Sequence, residues 1–246
     1  MRSKKNNNPK ISIIVPVYNE EIRVVNLYTL HKLLSKKKYI HEYIVVNDGS
    51  VDSTLSQLRT IQKKLKIKIE SYKKNRGKGY AIKRGIEKAR GTHALIIDVD
   101  LSTDMSALDG VMPFLKKYNV VIGTRKNPKA KLLQRQPWLR ESMGKVFTFI
   151  SQMITGVAIS DFTCGFKCYE MALAKRIAKK QVIHRWAYDN EYLYLSKKIG
   201  NEIREIPVVW KNDGKTKVRF PHDIIVSFID ILRIRIADIM GHYNRL

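Results

Sequence analysis

Asp98-Val99-Asp100 closes the apolar run Ala94-Leu95-Ile96-Ile97 and puts two carboxylates one residue apart at the end of an apparent strand. Two hard oxygen donors so close suit a divalent cation, and a cation held there would neutralise diphosphate oxygens. The same pair also reads as solvated turn chemistry, because Asp favours loops for its own local hydrogen bonds. Asp48, ahead of Gly49-Ser50, carries two readings as well: an acceptor for a nucleobase or ribose, or a turn residue. Gly77-Lys78-Gly79 lacks the Gly-x-x-x-x-Gly-Lys-Ser/Thr spacing of a phosphate-cradling loop, which leaves Arg76 and Lys78 open between anion ligands and solvated charges.

Such residues need a scaffold that gathers strand ends, and the hydrophobic pattern supplies one. Ile11 to Val17 reads as a strand, Glu21 to Lys36 as a helix, and Tyr43 to Asn47 as a second strand. Asp52-Ser53-Thr54 opens a helix running to about Leu65, with an acidic, hydroxyl-rich first turn. A strand at Ile67 to Tyr72, a helix that follows Gly77-Lys78-Gly79 and runs to Ala89, and a strand at His93 to Ile97 come next. A helix near Met105 to Lys117 and a strand at Val120 to Gly123 complete the first half. Strands alternating with helices predict an α/β chain, a Rossmann-like doubly wound sheet in which ligands collect beyond the strands' carboxyl ends. Asp48, Asp98 and Asp100 all fall at such ends.

The chain has 246 residues and is 44% hydrophobic, enough for one substantial core with an appendage. Forty-seven Lys and Arg against 22 Asp and Glu give a net charge of +25, so the expected partners are anionic: nucleic acid, a lipid headgroup surface or a phosphorylated substrate. No helix-turn-helix, RNP or zinc pattern supports nucleic acid. Cys164 and Cys168 are the only cysteines and read as reduced thiols, with neither a disulfide framework nor a second pair for zinc. No stretch reaches the roughly 18 to 20 apolar residues that a membrane span requires. Val146 to Ile159 and Ile224 to Met240 are nevertheless amphipathic, with Ile225, Phe228, Ile229, Leu232, Ile236 and Met240 at helical spacing. They suit either core packing or the surface of a bilayer. The expected organisation is a basic N-terminus over residues 1–10, a main domain over 11–220 and a C-terminal amphipathic helix over 221–246.

Taken in order, the loops resemble one family. Ile13-Ile14-Val15-Pro16-Val17-Tyr18-Asn19-Glu20-Glu21, Val46-Asn47-Asp48-Gly49-Ser50, Asn75-Arg76-Gly77-Lys78-Gly79 and Asp98-Val99-Asp100 resemble the inverting family 2 glycosyltransferases of GT-A fold. Gly123-Thr124-Arg125, Arg140, Asp161-x-x-x-Gly165-Phe166-Lys167, Trp186-Ala187-Tyr188-Asp189-x-Glu191, Glu205-Ile206-Pro207-Val208-x-Trp210 and Lys215-Thr216-Lys217 narrow the likeness. They point to the dolichyl-phosphate glucosyltransferases, with the dolichyl-phosphate mannose synthases as close relatives. Ser102 two residues beyond the second acid, and Asp189-x-Glu191, favour the glucosyltransferase side.

The resemblance implies a mixed sheet of GT-A type with C-terminal interfacial helices, and hexose transfer from a nucleotide sugar to a polyprenyl phosphate. UDP-glucose is the favoured donor and GDP-mannose the next. Pro16, Tyr18, Glu20, Asp48, Lys78 and Asp98 are expected on the nucleotide sugar, Asp98 and Asp100 on Mg²⁺ or Mn²⁺, and Arg125, Arg140 and Lys217 on the lipid phosphate. Guanidinium forks suit that last task. A phosphate oxygen attacks as an anion and needs no strong base, and for this reaction Asp161 ranks above Asp189 as the acid of importance. A glycan hydroxyl acceptor, the alternative, would need a base, with Asp189 first and Asp161 second. Structural roles, a turn cap for Asp161 and a first-turn helical acid for Asp189, stay open. Because the N-terminal spanning helix of eukaryotic relatives is not seen, membrane contact is expected from surface helices or an anchoring partner. The implied location is the cytosolic face of a membrane, the endoplasmic reticulum in a eukaryote or the plasma membrane in a prokaryote.

Overall fold

The computed structural model of the chain describes residues 8–214, 219, 221–244 and 246. Its first half alternates β1 (Ile11–Val17), α1 (Asn26–Leu34), β2 (Ile40–Asp48), α2 (Thr54–Lys64), β3 (Ile67–Tyr72), α3 (Lys78–Lys88), β4 (His93–Ile97), α4 (Ala107–Val111) and β5 (Val120–Thr124). The second half runs β6 (Lys131–Gln134), α5 (Trp138–Thr155), β7 (Phe166–Glu170), α6 (Met171–Lys180), α7 (Tyr188–Lys198), β8 (Ile203–Pro207), β9 (Val209–Lys211) and α8 (His222–Ile239).

A seven-stranded sheet has the order β3-β2-β1-β4-β7-β5-β8, and β6 with β9 forms a small second sheet. β3, β2, β1 and β4 run parallel, as do β5 and β8, whereas β7 is antiparallel to both of its neighbours, β4 and β5. The sheet is therefore mixed, as expected. From β1 the chain first builds outward to β2 and β3, then crosses back to add β4 on the other side, so the β1–β4 junction is a switch point where a crevice opens.

Alternating side chains send the strands into two cores. Ile14, Ile44, Val46, Ile96 and Ile122 pack with α3, α6 and α7 on one face. Ile13, Val15, Val45, Leu95, Ile97 and Val121 pack with α1, α2 and α4 on the other. Each such fully buried aliphatic contributes about 1.5–3 kcal/mol from leaving water.

Several boundaries differ from the sequence pattern for identifiable reasons. The first helix starts at Asn26 because Glu21 to Val25 form a turn anchored by Arg23 N and Val24 N on the Glu20 carbonyl. The helix expected over Met105 to Lys117 shrinks to α4 plus a 3₁₀ turn, Met112–Phe114, where Pro113 cannot donate the next helical hydrogen bond. β7 lies in a stretch that the pattern left unassigned.

The two amphipathic stretches fall largely in α5 and α8, with Val157 and Ile159 buried beyond the end of α5, and each helix buries polar side chains while leaving much of its apolar surface exposed. α5 buries Thr148, Ser151 and Thr155 while Trp138, Val146, Phe149 and Met153 stay exposed. α8 buries Asp223, Ser227 and Asp230 beside Ile231 and Ile234, and leaves Ile225, Ile229, Leu232, Ile236 and Met240 exposed. The buried acids are not orphans: Asp223 accepts from Trp186 Nε1 at 3.2 Å and from Arg219 N at 2.8 Å, and Asp230 pairs with Arg233 at 2.9 Å. The expected stripe exists, and most of it faces solvent, with Phe228 partly buried. Among the described residues, no helix is long and apolar enough to cross a membrane.

Candidate active site

Asp98 and Asp100 sit just past β4, at the switch point. The register pairs Ile97 with Phe166, which sets Gly165 against the Asp98 side chain. A Cβ on Gly165 would lie 2.1 Å from Asp98 Oδ2, so any larger residue there would displace the carboxylate. Immediately after the pair, Leu101 holds φ of 52°, a left-handed conformation that costs a branched residue about 1–2 kcal/mol. Such strain persists only where the surroundings impose it, and it often marks a functional turn. Asp98, Asp100, Thr103, Met105, Gly165 and Trp210 help line a small cavity of about 20 Å³ here.

Charge is concentrated around this turn. Lys78, the first residue of α3, places Nζ 2.6 Å from Asp98 Oδ1. Burial would lower the Lys78 pKa, and the fields of Asp98, Asp189 and Asp100 outweigh it and hold the ammonium above its ordinary value. Burial, and then the charge of Asp98, pushes the Asp100 carboxyl up. Asp189 is buried beside Lys167, whose Nζ lies 3.0 Å from Oδ1, and burial still pushes its carboxyl up. Three carboxylates thus face two ammonium groups. Among the described residues no three acidic, His or Cys side chains converge as a metal cage, so a cation here would have two carboxylates from the protein. That donor set fits Mg²⁺ or Mn²⁺, hard ions that commonly complete their shell with water and substrate phosphates. Such an ion would relieve the repulsion from Asp98 that adds to burial in raising Asp100.

The residues expected on the nucleotide line the neighbouring loops. Pro16 is half-buried near the end of β1, and Tyr18 is 39% exposed beyond it. Asn19, at φ of 52°, knits its loop to the next by donating from its N–H to Ser50 Oγ and accepting from Val51 N, each at 2.9 Å. Glu20 pairs with Arg23 at 3.1 Å. Asp48 is 2% exposed and gathers the 75–77 loop, accepting from Arg76 N and Gly77 N and from Asn75 Nδ2, all at 2.8 Å. Both of its oxygens are engaged by this loop. Gly49 permits the approach, since at φ of 67° its Cβ would sit 2.5 Å from Asn75 N.

Arg125 and Asp161 form a third feature, at the end of β5. Arg125 donates from Nε to Asp161 Oδ2 at 2.7 Å and from Nη2 to Oδ1 at 2.8 Å, and its backbone N–H adds a third bond at 3.1 Å. The guanidinium also stacks 5.3 Å from the Trp210 ring centroid. Burial alone would raise the Asp161 carboxyl, and Arg125 reverses that and holds it at about 2. The fork expected to grip a lipid phosphate is therefore closed on Asp161. Arg140, half-buried in the first turn of α5, feels the charge of Arg125. Lys217 and its neighbour Thr216 lie outside the described residues.

The family model described as Glycosyl transferase family 2 matches residues 12–178. The dolichyl-phosphate beta-glucosyltransferase of Dictyostelium discoideum is 34% identical, over 94% of this chain and 75% of its own. The chain belongs to glycosyl transferase family 2. The human dolichyl-phosphate beta-glucosyltransferase is 30% identical over 96% of this chain and 78% of its own. Among solved structures, mannosyl-3-phosphoglycerate synthase from Rubrobacter xylanophilus superposes with a TM-score of 0.69 at 16% identity, covering 97% of this chain and 77% of that one. Glucosyl-3-phosphoglycerate synthase from Mycobacterium tuberculosis, solved with Mn²⁺, UDP and glucosyl-3-phosphoglycerate, gives 0.64 at 16% identity, covering 93% and 79%. These likenesses establish the GT-A fold for this family 2 chain.

Within the family 2 frame, the structure adds residues to which the sequence reading gave no role. Lys167 is fully buried and donates to the Cys164 carbonyl at 2.5 Å as well as facing Asp189. Its burial beneath an acid is invisible to composition, although it sits in a quoted motif. Lys126 is exposed as a residue, yet its ammonium donates to Thr148 Oγ1 at 2.8 Å, and the protein around that group, then the charges of Arg125 and Lys145, hold it below its usual pKa. Trp186 lies with its ring 5.6 Å from Lys78 Nζ. Only the folded register brings Gly165 to Asp98.

Proposed function

We propose that the protein transfers glucose with inversion from UDP-glucose to a polyprenyl phosphate of the dolichyl type, at a membrane surface. What supports this most is the Asp98, Asp100 and Lys78 cluster at the switch point of a family 2 chain. That chain is similar along nearly its whole length to proteins named dolichyl-phosphate beta-glucosyltransferase.

Asp98 and Asp100 would hold Mg²⁺ or Mn²⁺, which supplies charge neutralisation for the departing diphosphate. Lys78, already against Asp98, adds a fixed positive charge on the same side. Pro16, Tyr18 and Glu20 border the nucleoside, and Asp48 shapes that pocket through the 75–77 loop. An oxygen of the lipid phosphate attacks the anomeric carbon, the bond to the diphosphate oxygen breaks, and UDP leaves with the electron pair. The attacking oxygen is already anionic, so alignment and charge carry the step. Asp161 then works by fixing Arg125, while Arg140, Lys126 and Lys217 are the cations assigned to the acceptor phosphate.

The hydroxyl-acceptor alternative is weaker on these observations. Asp161, held at about 2 by Arg125, is a poor base near neutrality. Asp189 is tied to Lys167.

The exposed apolar faces of α5 and α8 fit a bilayer surface as their occupant. They flank an apolar groove of about 190 Å³ lined by Ser142, Met143, Val146, Ile224 and Phe228. The same two helices carry Lys145, Arg233 and Arg235, paired with Glu141, Asp230 and Asp238. Each Lys or Arg near an anionic leaflet adds about 1 kcal/mol. Docking on the cytosolic face, with or without an anchoring partner, belongs to the same proposal.

The test is transfer from radiolabelled UDP-glucose and, separately, GDP-mannose, with a defined polyprenyl phosphate and Mg²⁺ or Mn²⁺. Label from UDP-glucose in the organic extract is expected. Label only from GDP-mannose would replace the donor, and label only on a glycan acceptor would sink the lipid reading.

A further inference from the structure

Glu191 lies wholly out of solvent on α7, two residues beyond Asp189, and its carboxylate collects hydrogen bonds from three directions. Val182 N reaches Oε1 at 2.7 Å, Ile183 N reaches Oε2 at 2.9 Å, and Tyr243 Oη donates to Oε1 at 2.7 Å. The first two come from the 181–184 loop, and the third comes from the turn after α8. The same loop is held internally, with Gln181 Nε2 donating to the Ile183 carbonyl at 2.7 Å and Tyr192 Oη donating to Gln181 Oε1 at 3.0 Å.

The front of that loop presses on the start of α3. The His184 carbonyl accepts from Tyr80 N at 3.0 Å, and a Cβ on Gly77 would lie 2.5 Å from that oxygen. A Cβ on Gly79 would lie 2.8 Å from the Ile183 carbonyl. Two glycines thus bring the backbone flanking Lys78 into direct contact with the loop that Glu191 grips. The turn after α8 is fastened to the same place a second time, with Lys180 Nζ and the His242 carbonyl 3.1 Å apart and His242 Nε2 3.1 Å from the Lys180 carbonyl.

We infer that Glu191 is a positioning residue for Lys78. It clasps the 181–184 loop from behind, so that this loop fixes the first turn of α3, and Tyr243 locks the end of α8 into the same clasp. The chain of contact runs from the helix with the exposed apolar face, through Tyr243, Glu191 and His184, to the ammonium beside Asp98. A shift of the first turn of α3 by even a fraction of an ångström would lengthen the 2.6 Å contact of Lys78. The clasp itself is independent of any substrate, and its effect on ligand binding rests on the proposal that Lys78 faces the donor diphosphate.

Tyr243→Phe removes one hydroxyl and keeps the ring, so it opens the clasp with little risk to the fold. Tyr194→Phe is the control, because that hydroxyl also ties α7 to α8, through Asp238 and Arg235, without touching the loop. Amide hydrogen exchange at Tyr80 is expected to quicken about tenfold in Tyr243→Phe and in Glu191→Gln, and to stay unchanged in Tyr194→Phe. The dissociation constant for UDP with Mn²⁺, read by calorimetry, is expected to rise about fivefold in Tyr243→Phe alone among the two tyrosine variants. In a Lys78→Met background the same substitution should add nothing, since coupled residues are not additive. Exchange at Tyr80 that responds no more than in the control overturns the clasp, and full additivity with Lys78→Met overturns its routing through the lysine. If the wild type fails to bind UDP with Mn²⁺ while exchange still responds, the donor reading falls and the clasp stands.

Discussion

The sheet-end site and the α5–α8 face break the usual partition of oil inside and charge outside, in opposite directions. The site buries Asp189 and Lys167, half-buries Lys78 and crowds Asp98 and Asp100 beside them. The helical face exposes Phe149, Met153, Leu232 and Ile236 while hiding Thr148, Ser151 and Asp230. Compare α3, which buries Gly79, Ala81, Ile82 and Ile86 against the sheet as an ordinary amphipathic helix does. Neither exception is one that folding stability alone would select. Buried charges carry desolvation costs of several kcal/mol per ion, and exposed apolar side chains forgo burial. Each exception makes sense if a partner completes it: an anion with its cation at the site, and an apolar surface at the helices.

Removing the site's charge should have the largest consequence. Asp98→Asn or Asp100→Asn is expected to lower transfer by on the order of a thousandfold or more, as loss of a metal clamp does. Thermal unfolding should change little, because these carboxylates sit in a loop beyond β4 rather than in its core. Near-normal rates in both variants would end the comparison by showing that the cluster has no chemical role.

Asp161→Asn probes a buried pair that nothing needs to complete. Arg125 would keep its buried charge and lose its bidentate acceptor, at a cost of about 3–5 kcal/mol in stability. Denaturant midpoints measure this, and a loss of activity without a loss of stability would instead make Asp161 a chemical participant. The closed, bidentate Arg125–Asp161 fork stands here against the single Lys78–Asp98 contact.

Much of this architecture was legible in the chain and some was not, for physical reasons. Strands β1 to β5 and the acid pair at a strand end follow from local periodicity, which depends on a few neighbouring residues. β7 was missed because Phe166-Lys167-Cys168-Tyr169-Glu170 puts a lysine where a central strand should be apolar, and Asp189 from α7 together with the Cys164 carbonyl makes that burial tolerable. The stripes on α5 and α8 were legible as stripes. Their outward direction was not, because the polar residues on the inner faces are satisfied by partners that no pattern announces: Trp186, Arg219 and Arg233 for the acids of α8, and Lys126 for Thr148 of α5. Arg125 had the right residue type for a phosphate, yet its partner Asp161 is 36 positions away.

The helical face should respond to charge without cost to the fold. Ile229 and Ile236 are 45% and 54% exposed, so Ile229→Glu and Ile236→Glu are expected to alter stability by less than about 0.5 kcal/mol. Binding to vesicles containing anionic lipid should weaken by about five- to tenfold for each substitution, since each withdraws roughly a kcal/mol of apolar burial and adds a repelled charge. Cosedimentation unaffected by both changes would show that the face serves something other than a bilayer.

The smallest expected effect distinguishes two buried acids by the sign of their pH dependence. Asp161 is held at about 2, below its ordinary 3.8, so its contribution is fully present above 3.8 and is lost as pH falls from there through about 2. Glu191 is pushed from 4.5 to about 7, chiefly by burial, against the hydrogen bonds from Tyr243, Val182 and Ile183 and the charge of Lys83. Between 4.5 and about 7 the folded protein therefore binds more protons at Glu191 than the unfolded chain does, so its contribution is present below 4.5 and declines as pH rises through about 7. The stability of the wild type relative to Glu191→Gln should accordingly fall between pH 5 and pH 8 in urea titrations, while the difference between wild type and Asp161→Asn stays level over that range. A Glu191 difference that is also level would mean that the clasp holds its carboxylate ionised throughout, and that three donors outweigh burial there as Arg125 does at Asp161.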